Sequence, residues 1–300
     1  SASVSLVVAA HSDHAPEVMR YDLFTEELGT INAYADDFRG GVRLAMGDVD
    51  GDGVEEIITG AGPGGGPQVQ VFELDGELIG TFFAFEEWNH SGIYVATGDV
   101  NNDGVEEIIV SSDQDGQGRV RVFDRAGNRL RTFWLAGYAN KSIRVAAGDV
   151  DGDGVDEIVT GLGPGGGPEV RVFEYGNSSS VRFEAYASTY DKGIYVGVGD
   201  IDGDGVEEIV TGTDDGGGPH LRAFDRLGNV ELSFFAYDEN FRGGVHIDVG
   251  DINEDGVDEI ITAAGPGGGP HLRIFSGEEV IAQWYAFDES FSGGINIAAW

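Results

Sequence analysis

An internal repeat of about fifty residues constrains this chain more than any other feature. The phrase Gly47-Asp48-Val49-Asp50-Gly51-Asp52-Gly53-Val54-Glu55-Glu56-Ile57 returns as GDVNNDGVEEI from Gly98 and GDVDGDGVDEI from Gly148. It returns again as GDIDGDGVEEI from Gly199 and GDINEDGVDEI from Gly250. The leading aspartates Asp48, Asp99, Asp149, Asp200 and Asp251 are spaced 51, 50, 51 and 51 residues apart. A fixed period of this length marks a solenoid, a propeller or an array of like units. Each unit carries four short runs, such as 42–46, 56–60, 68–72 and 79–85, rich in β-branched and aromatic residues and bounded by Gly, Pro, Asp or Asn. Such runs read as strands. No stretch shows capped helical periodicity. Four strands per unit without helix predict an all-β propeller whose blades are four-stranded antiparallel sheets.

The chain ends set the blade count. Residues 293–300 match the first strand of a unit and then stop. The run from Ser3 to Ala10 matches a second strand, and Glu17 to Leu23 and Gly29 to Tyr34 match a third and a fourth. The expected fold is therefore one domain over 1–300, a six-bladed β-propeller. One blade is shared by 1–38 and 291–300, and five further blades lie in 39–290. Closing the ring this way leaves no propeller edge open to another chain, and a monomer is expected. The chain opens on Ser1-Ala2-Ser3, without a basic or apolar leader, and reads as a mature form or an excised domain.

The formal charge is −37, which makes nucleic acid and anionic membrane surfaces poor partners and cations good ones. No apolar run has the length of a membrane span, so no membrane insertion is expected. With no cysteine there is neither a disulfide framework nor a thiolate metal site.

The repeated acidic loop has the spacing Asp-x-Asp/Asn-x-Asp-Gly-x-x-Glu. Calcium takes six to eight oxygens, and alternate residues of a tight loop turn their carboxylates toward one centre. The glycine after the third of these lets the chain wrap the ion. A backbone carbonyl at position seven and a carboxylate at nine complete the shell. The expected ligands are Asp48, Asp50, Asp52, the Val54 carbonyl and Glu56 in the first loop, and Asp99, Asn101, Asp103, the Val105 carbonyl and Glu107 in the second. The third uses Asp149, Asp151, Asp153, the Val155 carbonyl and Glu157. The fourth uses Asp200, Asp202, Asp204, the Val206 carbonyl and Glu208, and the fifth Asp251, Asn253, Asp255, the Val257 carbonyl and Glu259. Carboxylates packed this closely repel unless a cation lies among them. Five Ca2+ ions are thus expected, and with no base or nucleophile recurring beside them their role is structural.

The loops, followed by Gly60-Ala61-Gly62-Pro63, resemble FG-GAP, or VCBS, repeats, which build the propellers of integrin α subunits and of many bacterial surface proteins. The resemblance spans essentially the whole chain. It implies a metal in the hairpin between the first and second strands of a blade, on the lower face, with ligands meeting the opposite face. Two departures stand out: the loops end in Glu where the family commonly has Asp, and the shared blade lacks the loop. Integrin propellers have seven blades, so their partners do not carry over.

On the opposite face, the GPGGGP segments (62–67, 163–168 and 265–270) read as tight turns rather than phosphate loops, because no Lys-Ser/Thr and helix follow. One aromatic per blade, Phe38, Trp88, Tyr138, Tyr190, Phe241 and Phe291, either packs between adjacent blades or stacks on sugars. Trp88, Tyr138 and Tyr190 are the candidate sugar contacts. Arg43, Tyr94, Arg144, Tyr195, His246 and Asn296 are expected to ring the channel mouth, where Arg43 and Arg144 either hold an anionic ligand or pair with acids between blades. No catalytic set recurs, and no enzyme is expected. The sequence points to a calcium-stabilised binding or adhesion module outside the cell or at its surface, with an unidentified protein or glycan ligand. A calcium-dependent lectin and a structural spacer of a larger surface protein are the alternatives.

Overall fold

Each unit spends its β-branched residues on strands and its Gly, Pro and Asp on the bends between them. The structure, a computed structural model, describes residues 5–22, 26–114, 117–177 and 180–300. Ser3, Val4 and Leu23, assigned above to strands, lie outside the described residues. The chain begins with β1 (Leu6–Ala10), β2 (Glu17–Tyr21) and β3 (Glu27–Asn32). The first full blade is β4 (Val42–Gly47), β5 (Glu56–Ala61), β6 (Gln68–Phe72) and β7 (Leu78–Phe83). The second is β8 (Ile93–Gly98), β9 (Glu107–Ser112), β10 (Arg119–Phe123) and β11 (Arg129–Trp134). The third is β12 (Ile143–Gly148), β13 (Glu157–Leu162), β14 (Glu169–Phe173) and β15 (Ser180–Glu184). Then come β16 (Ile194–Gly199), β17 (Glu208–Thr213), β18 (His220–Phe224) and β19 (Val230–Phe235). The fifth blade is β20 (Val245–Gly250), β21 (Glu259–Ala264), β22 (His271–Ser276) and β23 (Glu279–Tyr285), and β24 (Ile295–Ala299) ends the chain.

These strands form six four-stranded antiparallel sheets. β24 pairs with β1, Leu6 opposite Ala299 and Ala10 opposite Ile295, so strands from both ends of the chain build one blade in the order β24-β1-β2-β3. The inner strands β4, β8, β12, β16, β20 and β24 each pack against the next around the ring, and β24 against β4.

The hydrophobic core lies between blades. One cluster joins Ile58, Val69 and Val71 of the first full blade to Ile93, Val95, Ile108 and Phe123 of the second. This explains the burial patterns. Second strands such as β5 and β9 are buried along their whole length, whereas the outer strand β7 alternates between exposed and half-buried residues. Burying an isoleucine such as Ile57 or Ile108 contributes roughly 1.5–3 kcal/mol.

Two devices lock neighbouring blades at their outer halves. An aromatic of one outer strand meets the phenylalanine ending the next blade's third strand: Phe82 with Phe123 at 4.9 Å, Phe183 with Phe224 at 5.0 Å, Phe234 with Phe275 at 5.0 Å. Gly127 turns over Phe82 at φ 79°, where a Cβ would come within 2.6 Å of the ring, so this turn admits only glycine. The second device is an arginine in the third strand. Arg121, Arg222 and Arg273 donate to the carbonyls of Ala84, Ala185 and Ala236 in the preceding blade, at 2.7, 3.0 and 2.7 Å. Each guanidinium lies over the aromatic that follows: Phe85 at 4.7 Å, Tyr186 at 5.3 Å and Tyr237 at 5.0 Å.

The glycine-rich segments are also interblade joints. The amides of Gly64, Gly165 and Gly267 donate to carbonyls of the next blade's loop, those of His90, Asp191 and Ser292, at 2.7–3.0 Å. Gly62 sits so close to Gly40 that a Cβ would come within 2.0 Å of its oxygen. These amides are engaged by the protein itself, in keeping with turns where backbones crowd.

Candidate metal centres

The acidic loops join inner to second strands, so all five lie on one face, here the lower. Their wrap needs two left-handed residues, at positions four and six. Gly51 and Gly53 supply φ of 80° and 85°, and Gly104 and Gly256 hold position six in the second and fifth loops. Position four in those two is Asn102 and Glu254, at φ 59° and 60°. The glycine at six was legible in the sequence; the turn at four was hidden because non-glycine residues adopt it here.

The first aspartate organises each loop. Asp48 Oδ1 accepts from the amides of Gly51 and Asp52 at 2.7 and 3.1 Å, and its Oδ2 from Gly53 at 2.9 Å. Asp99, Asp149, Asp200 and Asp251 hold their loops in the same way. The third aspartate, Asp52, accepts from the Val54 amide at 3.0 Å, and Asp103, Asp153, Asp204 and Asp255 do likewise with Val105, Val155, Val206 and Val257.

Ligand atoms of Asp48, Asp50 and Glu56 fall within 4.8 Å of one another, as do those of Asp149, Asp151 and Glu157, and of Asp200, Asp202 and Glu208. Asp52, Asp153 and Asp204 lie outside these groups. In the second and fifth loops the Asn101 and Asn253 amides donate to Glu107 and Glu259. Turning either amide over would present its oxygen instead.

The glutamates are the telling residues. Glu56, Glu107, Glu157, Glu208 and Glu259 are at most 5% exposed. One oxygen of Glu56 accepts from the Val49 amide at 3.0 Å; the other is buried without a hydrogen-bond partner. Glu107, Glu157 and Glu259 each have such an oxygen, and so do Asp50 and Asp151. Burial first, then the neighbouring loop aspartates, push all five glutamates up to about 7. A buried carboxylate oxygen without a partner costs free energy, and a hard cation removes that cost. The residues present therefore fit an oxygen-coordinated divalent ion.

Two features of the lower face escaped the sequence reading. Position eight bridges neighbouring loops: the amides of Glu106, Asp156, Glu207 and Asp258 donate to the carbonyls of Asp48, Asp99, Asp149 and Asp200 at 2.9–3.3 Å. Asp156 and Asp258 also accept, through Oδ2, from the amides of Asp99 and Asp200. Arginines 75 residues further along the chain reach position three, Arg125 to Asp50 at 2.9 Å and Arg226 to Asp151. Position eight looked like a spacer in the motif, and only the ring brings Arg125 to the first loop.

At the opposite mouth, the six inner-strand residues form a buried ring, each less than a tenth exposed. The Arg144 guanidinium lies between the rings of Tyr94 and Tyr195, at 4.9 and 4.7 Å, and is ion-paired to buried Asp214. Arg43 also lies over Tyr94, at 4.9 Å, and donates to His11 Nδ1 at 3.1 Å. Burial and the Arg43 charge hold His246 at about 3, so it is neutral against Tyr195. Asn296 closes the ring by donating to the Val42 carbonyl at 2.6 Å. Beneath it lies an axial cavity of about 160 Å³.

The loop aromatics mostly pack inside their own loops. Phe38, Tyr190, Phe241 and Phe291 meet the rings of Tyr34, Tyr186, Tyr237 and Phe287, each four residues earlier, at 5.1–6.4 Å. Tyr138 is bonded to Glu169 and Arg171. Trp88, 62% exposed, is the member of the set that stands in solvent.

Residues 99–160 match the FG-GAP-like repeat family. A similar segment recurs in the sequence of the other full blades of the propeller. No curated protein matches the chain. Among solved structures it is similar to a protein of unknown function from Bacteroides caccae, at 12% identity and a TM-score of 0.63, covering 98% of each chain. It is also similar to BBS1N crystallised in complex with ARL6DN, at 9% identity and a TM-score of 0.51, covering 95% of this chain and 84% of that one. The Dos1 propeller matches at 13% identity and a TM-score of 0.50, over 96% and 73%. At these identities the likeness is one of fold.

Two predictions follow from the carboxylates. The folded, metal-stripped protein keeps protons on its position-nine glutamates up to about pH 7, whereas the unfolded chain releases them near 4.5. Stability without metal is therefore greatest at low pH and falls as pH rises through about 7; thermal melts of metal-stripped protein should lose several degrees between about pH 5 and about pH 8. At the mouth, Asp214→Asn leaves Arg144 buried without its counter-charge and should cost about 3–5 kcal/mol in a denaturant titration, with much of it recovered by adding Arg144→Met.

Proposed function

We propose that this chain is a calcium-loaded propeller serving as a binding or adhesion module outside the cell or at its surface, with the ions holding the fold. The observation that carries this is the set of buried carboxylate oxygens without partners, repeated at corresponding positions of the loops. Bound calcium would supply the positive charge that lets these carboxylates stay ionised together at neutral pH. Asp48, Asp50 and Glu56 and their counterparts would hold it through side chains, with Asp52 and the Val54 carbonyl closing the shell. Calcium suits the site better than magnesium. The donors are oxygens on a flexible loop, and calcium accepts more of them in looser geometry and sheds water more readily. Extracellular calcium is abundant enough to fill sites of modest affinity. The charge of −37 favours soluble, cation-rich surroundings over nucleic acid.

The role is one of binding rather than catalysis. The recurring carboxylates are engaged in loop geometry, and the arginines of the upper mouth are stacked and bonded within the protein. A monomer presenting its upper face and rim to a protein partner accounts for these features. The spacer reading shares every feature of the lower face and differs in having no ligand. The lectin reading rests on one observation, the exposed indole of Trp88.

Calorimetric titration of metal-stripped protein should count five calcium ions. Chelation at neutral pH should lower the melting temperature by roughly 10 °C or more, since each ion bound only to the folded state adds stability by mass action. A melt indifferent to both calcium and chelator would overturn the calcium assignment. On a glycan array in calcium, binding to a defined sugar class that Trp88→Ala abolishes would favour the lectin; a blank array beside a calcium-dependent melt favours a protein partner.

A further inference from the structure

Blade joints in a ring are equivalent, so a joint that departs from the others shows what is missing. Three joints are closed by an arginine of the third strand that donates to an alanine carbonyl and covers the next aromatic. Position 70 of β6 corresponds to Arg121, Arg222 and Arg273, and it is Gln70. The receiving half of the joint is nonetheless intact. Tyr34 follows Ala33 as Tyr186 follows Ala185 and Tyr237 follows Ala236. Its hydroxyl bonds to Thr59 Oγ1 and the Gln68 carbonyl, both at 3.1 Å, as Tyr237 bonds to Thr262 and His271. The Gln70 amide is shorter than an arginine and makes no hydrogen bond to a described residue.

The result is a groove of about 750 Å³ between the shared blade and the first full blade, lined by Ala33, Tyr34, Phe38, Gln68, Gln70 and Asp75 among others. Asp75 places a carboxylate at the rim. The nearby cation Arg20 is held on the Leu74 carbonyl at 2.5 Å and does not line the groove.

We propose that this groove binds an arginine side chain of a protein partner, whose guanidinium takes the place that Arg222 and Arg273 fill in their own blades. The planar cation would donate to the Ala33 carbonyl, lie over the Tyr34 ring and face Asp75. The groove is several times larger than one guanidinium, which leaves room for the alkyl stem and flanking residues of a peptide. The strongly acidic surface draws a cationic segment toward it. This site is independent of whether the lower loops hold calcium.

The test is a titration of the protein in saturating calcium and physiological salt with N-acetyl-arginine amide, followed by amide NMR. The expected result is saturable shifts at Ala33, Tyr34, Ala35 and Gln70. The neutral isostere N-acetyl-citrulline amide should bind at least roughly tenfold more weakly, as loss of a cation–π contact and a charged hydrogen bond requires. Gln70→Arg should fill the groove from within, abolish the shifts and raise the melting temperature. Asp75→Asn, which removes the carboxylate that the guanidinium faces while keeping the oxygen that accepts from the Glu77 amide, should also weaken binding and serves if the arginine variant folds poorly. Shifts confined to the acidic loops, equal binding of the citrulline probe, or unchanged binding to both variants would overturn the proposal. Free L-arginine binding as well as the capped amide fits a side-chain site; much tighter binding of the free amino acid would overturn a peptide occupant.

Discussion

A carboxylate buried at the first residue of a second strand sets the terms for the rest of the molecule. Glu56 and its four counterparts open strands that are covered along their whole length, and they cannot turn away to water without breaking the register Gly47–Glu56 that closes the hairpin. An ionised carboxylate there is costly unless hydrogen bonds or a cation meet it. The loop supplies one amide to Glu56 and leaves the other oxygen bare. The position-eight amides then tie each loop to the first aspartate of the loop before it. Whatever neutralises one glutamate therefore steadies a joint between blades as well as a turn within one, and the lower face behaves as a linked rim rather than as five separate loops.

Much of this was legible in the sequence because it is local or periodic. The fifty-residue period gave the blades, strand residues such as Gln68-Val69-Gln70-Val71-Phe72 fell where β-branched and aromatic residues cluster, and the complementary chain ends met as β24 and β1. The ligand spacing foretold that Asp48, Asp50 and Glu56 converge. The rest depends on neighbours that the ring supplies. Arg125 reaches Asp50 across 75 residues of sequence. Tyr94 meets two guanidinium groups because Arg43 and Arg144 stand on the inner strands either side of its own. The loop aromatics Phe38 and Phe241 turn onto Tyr34 and Tyr237 because a tight loop returns the chain to itself within four residues. The sequence does carry a trace of this contact: an aromatic stands four residues before Phe38, Tyr190, Phe241 and Phe291, whereas Ala84 stands four before the exposed Trp88.

The two faces of the propeller use repetition differently. On the lower face the units are nearly identical, and each difference is small: Asn for Asp at position three, or Asn102 and Glu254 taking a turn that glycine takes elsewhere. Around the upper mouth the same structural position is Arg, Tyr, Arg, Tyr, His and Asn in turn. These six interlock only because they differ, since six arginines would repel and six tyrosines would leave no cation to stack.

Divergence within a ring therefore has two physical meanings. Where neighbouring positions change together, as at Arg43, Tyr94 and Arg144, the changes complete one another and the surface closes. Where one half of a joint changes and the other stays, as Gln70 does opposite an unaltered Ala33 and Tyr34, no described residue takes the arginine's place. A carbonyl and an aromatic face are then left shaped for a group that three other blades carry themselves. Internal symmetry supplies the comparison needed to tell these cases apart: Arg222 and Arg273 define the chemistry that the altered joint lacks.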